Sequence, residues 1–276
     1  MGRGVKTTED KRPLPFLKWA GGKRWLTEQH TALFDVEFDR FVEPFLGSGA
    51  VFFHLSPAKS LMSDSNPQLI EAYEAIRDDA GKVRSHLVRH QRNHCKDYYY
   101  RIRNSRPRSA FGRAAKLIYL NRTCWNGLYR VNLIVEFNVL IGTNTNVLLD
   151  TDDFDSIAVL LSRAELRACD FEDTLSDTGA GDFVFVDPPY TVKHNVNGFI
   201  KYNEGLFSWD DQVRLRSCVV AARERGAKVL VTNANHRSLR HLYKGVGKRL
   251  RIARLSVISG KQKGRGVFEE MVVKCF

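Results

Sequence analysis

Between Gly181 and Tyr190 the chain reads GDFVFVDPPY. The apolar run at its centre has the character of a strand covered on both faces. Such strands lie in the middle of parallel sheets, whose crossovers are usually helices. The run stops at Asp187, and Pro188 and Pro189 have no N–H with which to extend a ladder. In an open α/β sheet the carboxyl ends of the strands face the ligand crevice. A carboxylate, two prolyl carbonyls and the ring of Tyr190 are therefore expected at that crevice. That corner is rich in hydrogen-bond acceptors and poor in donors, which suits a planar substrate carrying an amino group, such as adenine. The plainer alternative is a strand terminator followed by a polar turn.

The rest of the chain alternates in a compatible way. Arg40–Phe45 reads as a strand, Leu46–Gly49 as a glycine turn and Ala50–Leu55 as the start of a helix. Ser60–Ser63 reads as a strand ending at Asp64, and Asn66 with Pro67 marks a helix start that runs to about Arg77. Phe154–Arg163 reads as helix, Leu166–Phe171 as strand, and Trp209–Arg225 as a helix capped by Ser208. Lys228–Thr232 is another strand, and Arg251–Ile258 with Val267–Lys274 forms a final antiparallel pair. The pattern is that of an α/β, doubly wound, Rossmann-like sheet. Lys82–Leu120 has helical spacing instead. Asn126-Gly127 stands between IYLNRTCW and LYRVNLIV, where it reads as a hairpin turn. The expected organisation is a core of residues 12–80 and 147–276, with residues 81–146 inserted as a helical plus β-hairpin subdomain.

The formal net charge is +12, and it is segregated. Lys82 to Arg130 holds thirteen Lys/Arg against Asp97, and Arg223 to Arg265 holds thirteen against Glu224. The stretch between Val131 and Asp187 is mostly acidic. Two basic blocks around an acidic one suggest a polyanion track beside a differently charged pocket; the plainer alternative is a basic surface that only aids solubility. No apolar run reaches membrane-spanning length, and Met1–Lys11 lacks the apolar centre of a secretory signal. The five cysteines are scattered, which speaks for a reducing cytoplasm and against a zinc site or disulfide framework. No metal, no membrane and no obligate protein partner are expected.

Gly47 and Gly49 in FVEPFLGSG would let backbone approach a ligand, and Asp64 falls where a carboxylate can accept the ribose hydroxyls of an adenosine moiety. Glu43 stands just before the turn, where it would repel a phosphate and favour an ammonium or sulfonium. It could instead bind backbone N–H groups. The combination points to S-adenosyl-L-methionine, leaving S-adenosyl-L-homocysteine, rather than to a dinucleotide. Asp187 and the Pro188 carbonyl would then each accept one N–H of the target amine, turning its lone pair toward the methyl group for in-line displacement. A base inside a duplex must be flipped out to arrive there.

FLKWAGGK (Phe16–Lys23), VEPFLGSGAVF (Val42–Phe52), NGLYRVN (Asn126–Asn132), EFNV (Glu136–Val139) and DPPY (Asp187–Tyr190) occur in that order. On these motifs the chain resembles the Dam-type DNA adenine-N6 methyltransferases of bacteria and phages, from Phe16 onward. The resemblance implies that Trp19 and Lys23 touch S-adenosylmethionine and that Asp64 holds its ribose. It implies that Phe45 and the glycine turn line the pocket and that Asp170 and Phe171 bind its adenine. Asp187, Pro188, Pro189 and Tyr190 become the catalytic corner, with Tyr190 stacked on the flipped base. Trp19 and Phe45 could equally be core aromatics, Lys18 and Lys23 solvated charges, and Asp170 a turn cap.

The resemblance further implies that a hairpin enters the major groove of double-stranded DNA. Arg130 is the candidate for a guanine contact, or alternatively for a phosphate, and Lys18 for a second base contact. Trp125, Asn126 and Leu128 would sit at the tip, with Asn138 and Leu140 on the returning segment. The helices of Lys82–Arg122 and the loop Ser259–Gly266 are expected to contact phosphates. Members of the family commonly read LRGEFNVPFG or SKGEFNVPFG after the hairpin, and their usual target is GATC. Here Leu133–Gly142 reads LIVEFNVLIG, with Ile134 and Val135 replacing a basic residue and a glycine and Leu140 replacing a proline. The loop Thr191–Phe207, with Gly198, Phe199 and Tyr202, is a candidate lid. Alternative readings are an RNA or cytosine-N4 amino-methyltransferase and a catalytically silent DNA-binding relative.

Overall fold

The computed structural model describes residues 12–127, 137–190, 207–256 and 266–276. Leu128, Arg130, the replaced positions Ile134 and Val135, the candidate lid apart from Phe207, and the Ser259–Gly266 loop apart from Gly266 lie outside them.

Seven strands form one sheet: β1 (Arg40–Glu43), β2 (Ser60–Asp64), β3 (Ala164–Ala168), β4 (Asp182–Val186), β5 (Lys228–Ala234), β6 (Lys248–Ser256) and β7 (Gly266–Lys274). Their order is β3-β2-β1-β4-β5-β7-β6. The first five strands are parallel, and β7 inserts antiparallel between β5 and β6. The apolar run anticipated for β4 is buried throughout, and the pairing places Val42 between Leu61 and Val184.

Successive residues of these central strands bury into two separate cores. Phe41, Phe183 and Phe185 share one core with α3 (Pro67–Asn93), α5 (Ala110–Thr123) and α6 (Phe154–Leu161), and their rings meet Phe34 and Phe38. Val42, Val184 and Val186 face α7 (Phe171–Ser176), α8 (Trp209–Glu224) and α9 (Arg237–Leu242). Each such side chain contributes about 1.5–3 kcal/mol by leaving water. Two further helices are α1 (Arg24–Gln29) and α4 (Lys96–Asn104), and α2 (Ala50–Leu55) follows the glycine turn. No helix among the described residues is long and apolar enough to cross a membrane.

Four local expectations need revision. The helix starting at Pro67 does not end near Arg77; it kinks at Asp79 (φ −160°, ψ 86°) and continues to Asn93. The Asp79 carboxylate accepts from Lys82 N at 2.9 Å, which caps the second half as a helix start would. IYLNRTCW is not a hairpin arm, because Ile118–Thr123 completes α5 with Leu117 to Thr123 all buried. Tertiary burial overrides the turn signal, and Cys124 pairs antiparallel with Ile141. Asn126 and Gly127 do adopt the left-handed turn their types favour, with φ of 58° and 65°. The strand read as Leu166–Phe171 stops at Ala168, since the Asp170 side chain caps α7 through Glu172 N at 2.9 Å. Finally, not every cation of Lys82–Arg122 can meet a phosphate. Arg122 is buried in a bidentate pair with Asp152 at 2.6 Å, and Arg113 is paired bidentately with Glu71.

Candidate functional site

The carboxyl ends of β1, β2, β4 and β5 converge with the segment Trp19–Lys23 and the amino-terminal half of β7. Gly21, at φ 79°, turns the chain so that Lys23 folds back, its Nζ donating to the Gly21 carbonyl at 2.9 Å. The same buried ammonium lies 2.9 Å from Asp187 Oδ1 and 3.6 Å from Glu270 Oε2, and 5.0 Å from the centre of the Tyr190 ring. Tyr190 donates its hydroxyl to Glu270 Oε2 at 2.8 Å. Thr232, on β5, donates to Asp187 Oδ1 at 2.7 Å.

The protein therefore spends its donors on one oxygen of Asp187. Oδ2 of Asp187 and the Pro188 carbonyl make no hydrogen bond to any described residue, whereas the Pro189 carbonyl accepts from Gln212 Nε2 at 3.4 Å. Burial pushes the Asp187 carboxyl above its ordinary range, opposed mainly by Lys23.

Gly47 and Gly49 have φ of 48° and 63°, and a Cβ at Gly47 would stand 2.8 Å from the Trp19 ring. The indole thus lies directly on the glycine turn. Asp64 accepts from Gly47 N at 3.1 Å and Asn66 N at 3.0 Å, tying β2 to the turn. Burial raises the Asp64 carboxyl, and these two bonds oppose it. Glu43 is fully enclosed; its Oε2 has no hydrogen-bond partner among the described residues. Burial, then the charges of Asp187 and Asp64, hold its carboxyl well above the usual range. An orphaned acceptor among carboxylates, beside an aromatic face and with no phosphate cradle, fits a cationic adenosine compound.

Beyond the turn, Phe45 stacks on Phe171 (5.4 Å, 26°), and Phe207 meets both rings. Asp170 both caps α7 and pairs with Arg214 at 2.7 and 3.0 Å, while the Arg214 guanidinium sits 4.3 Å over Phe171. Asp170 therefore sits at the pocket margin with its carboxylate already engaged.

A second group assembles after α5. Asn121 brackets the Lys18 backbone, accepting from its N–H at 2.9 Å and donating to its carbonyl at 2.7 Å. The Lys18 stem packs so closely on Gly127 that a Cβ there would stand 2.8 Å away. Trp125 N donates to the Leu140 carbonyl at 2.9 Å, and both side chains are exposed, 55 % and 63 %. Lys18, Asn126 and Asn138 are also exposed. The structure thus joins Lys18, Trp125, Asn126 and Leu140, residues distant in sequence.

Thr232, Glu270, Gln212 and Arg214 are absent from the residues read out of the sequence. Thr232 had a signal: it ends the apolar run VLV on a strand adjacent to β4, at the same crevice edge. Glu270 had one too, an acid preceding MVV on a strand that runs the other way. Gln212 and Arg214, on the face of a helix, had none.

A seven-stranded sheet with β7 reversed between β5 and β6, ending in an acceptor corner beside a glycine turn, defines a Rossmann-like methyltransferase. Residues 19–258 match the family described as D12 class N6 adenine-specific DNA methyltransferase. The chain belongs to this family and is an adenine-specific DNA methyltransferase, which implies use of S-adenosylmethionine. It is 35 % identical over 268 residues to the Type II methyltransferase M1.LlaDCHI of Lactococcus lactis subsp. cremoris, covering 94 % of each chain. It is 31 % identical to the Type II methyltransferase M.MjaIII of Methanocaldococcus jannaschii, covering 94 % of this chain and 98 % of that one. A DNA adenine methylase of Vibrio cholerae is 30 % identical, with 95 % and 96 % covered.

Proposed function

We propose that the enzyme methylates N6 of an adenine flipped out of duplex DNA, within a GATC-like site, using the corner at Asp187. The observation that carries this reading is the pair of unspent acceptors, Asp187 Oδ2 and the Pro188 carbonyl. An exocyclic amine has two N–H donors and a lone pair delocalised into its ring. Two acceptors placed side by side bind both donors and draw the nitrogen toward pyramidal geometry. Lys23 and Thr232 tether Oδ1, so Oδ2 is the oxygen presented to substrate. Lys23 thus acts as a positioning residue beyond any contact it makes with the cofactor.

S-adenosylmethionine, when bound, supplies an electrophilic methyl group on a sulfonium. The residues fit it as follows. Glu43 receives the amino-acid ammonium, Asp64 the ribose hydroxyls, and Trp19 with the Gly47–Gly49 turn covers the adenosine. The stacked pair Phe45 and Phe171 forms the apolar wall beside the adenine, with Asp170 at its edge. The carboxylates of the corner favour the positive charge that develops on N6 during transfer. Tyr190, held through Glu270, stacks on the flipped base, an interaction worth about 1–3 kcal/mol in comparable base–aromatic contacts. Lys18, Asn126 and Asn138 read or steady the duplex, with Arg130 as the guanine contact, and Trp125 and Leu140 fill the gap left by the base. Residues 81–146 constitute the recognition insertion on this reading.

The test is methyl transfer from a labelled donor to GATC duplexes, scrambled duplexes, single strands and RNA, with mapping of the modified positions. Label on N6 of adenine in GATC duplexes is the expected result. Label confined to RNA or cytosine, or duplex binding without label, overturns the reading. Label on adenine in another sequence overturns GATC alone and assigns the change to Ile134, Val135 and Leu140.

A further inference from the structure

The second basic block of the sequence is only partly accounted for by the site above. Part of it lines a cleft of about 640 Å³ formed by the start of α8, by α9 and by β6. Trp209, His236, Arg237, Arg240, Lys244 and Arg249 border this cleft, and no carboxylate does. Cations of such a block can be taken up by carboxylates, as Arg122 is by Asp152 and Arg113 by Glu71. Here the Arg237 and Lys244 side chains are exposed and make no hydrogen bond or ion pair with any described residue. Among the described residues, Arg240 and Arg249 bond only to backbone carbonyls and to Asn235.

The cleft's place in the fold says what passes over it. Asp187 follows β4, and His236 and Arg237 follow β5, the parallel neighbour of β4, so both emerge at the same edge of the sheet. Trp209 begins the helix that leads back into β5 from that edge. The helices α8 and α9 belong to one face of the sheet, whereas α5, with Trp125 and Lys18 beyond it, belongs to the other. A rod laid across the edge to deliver a base to Asp187 has one flank on the α5 side and its other flank over the upper rim of this cleft, at Trp209, His236 and Arg237, with Lys244 and Arg249 lower on the same face, toward the start of β6.

We infer that this cleft holds the phosphate backbone of duplex DNA on the flank opposite the recognition insertion, with Arg237 and Lys244 gripping phosphates. The inference rests on the reading of the protein as a duplex-DNA adenine methyltransferase. It adds a non-sequence-specific grip that lengthens the footprint on one side of the target only. Each phosphate neutralised adds about 0.9 to the slope of log affinity against log salt. Neutralising both side chains should therefore flatten the slope by about 1.8.

The experiment compares the full chain with the Arg237→Gln/Lys244→Gln variant on two duplexes sharing one target. The first spans about one helical turn around it, and the second about three turns. The expected result is that the wild type binds the long duplex more tightly. The variant loses that advantage and flattens the salt slope of the long duplex, while methylation of the short duplex is retained. An unchanged slope on the long duplex overturns the inference, as does an equal loss on both lengths. If neither protein methylates either duplex, the enzymatic reading fails, while the length-dependent slope still decides whether the cleft binds DNA. Long duplexes extended only on one side of the target then show which flank carries the effect. Loss on the side that cross-links to the recognition insertion overturns the placement.

Discussion

At the sheet's carboxyl edge, Lys23, Asp187, Tyr190 and Glu270 come from three distant stretches of chain and fix one another at 2.8–3.6 Å. At the turn after α5, Trp125 and Leu140 stand largely in solvent, joined to each other by one backbone hydrogen bond. The first region is over-determined, because each member is held by more than one partner. The second is under-determined, with apolar side chains awaiting a surface. An amine acceptor must be aimed before substrate arrives, whereas groups that follow a duplex groove gain their order from it. Mutations should therefore act on chemistry in the first region and on binding in the second.

The widest separation is expected at Asp187. Asp187→Ala should reduce turnover on the order of a thousandfold or more, with duplex affinity within a few-fold of wild type. Single-turnover methyl transfer and duplex titration measure the two. Normal turnover would remove Asp187 from the chemistry and dissolve the contrast.

Next comes a change of stability rather than rate. Arg122→Ala strands Asp152 in the interior and should cost about 3–5 kcal/mol. Arg113→Ala, at an exposed pair with Glu71, should cost about 1 kcal/mol or less. Urea unfolding of the two variants checks the ratio, and equal losses would show that burial does not distinguish these pairs.

Trp125→Ala should weaken duplex binding by roughly 1–3 kcal/mol, as for other base-stacking aromatics, and leave urea unfolding unchanged. A loss of stability instead would make Trp125 part of the core rather than a waiting surface.

The smallest effect is one of pH. Burial raises the Glu43 carboxyl above its unfolded value. Its contribution to stability is thus complete below the ordinary carboxylate range and is lost as pH rises through the raised value. Glu43→Gln should remove that dependence. Without cofactor, the wild type should lose stability relative to the variant on going from acid toward neutral pH. With S-adenosylmethionine the order should reverse, because the glutamine no longer receives a cation. Melting temperatures across pH, with and without cofactor, test both halves.

What the sequence disclosed follows the range of the interactions involved. The strands around Val42 and Val184 were legible because an apolar run and the turn that ends it are local features, and so was the corner at Asp187, since prolines and strand ends have positional meaning. The end of α5 was not, because IYLNRTCW is apolar in a way that suits a strand or a buried helix, and burial on α3 and the sheet decides. Asp170 was read as an adenine partner, and its tie to Arg214 depends on a helix forty residues away in sequence. Glu270 escaped notice because its role arises from strand reversal in the sheet, which no adjacent residue announces.

That reversal has a consequence for the time order of assembly. β7 is synthesised after β6 yet lies inside it, against β5. Until it emerges from the ribosome, β5 has an open margin, and the hydroxyl of Tyr190 has no Glu270 to hold it. On the proposed reading, a nascent chain therefore carries the DPPY motif before it carries the strand whose Glu270 holds Tyr190. On that reading, wherever transcription and translation are coupled, the gene's double helix close by meets an enzyme that becomes competent only once β7 has been made.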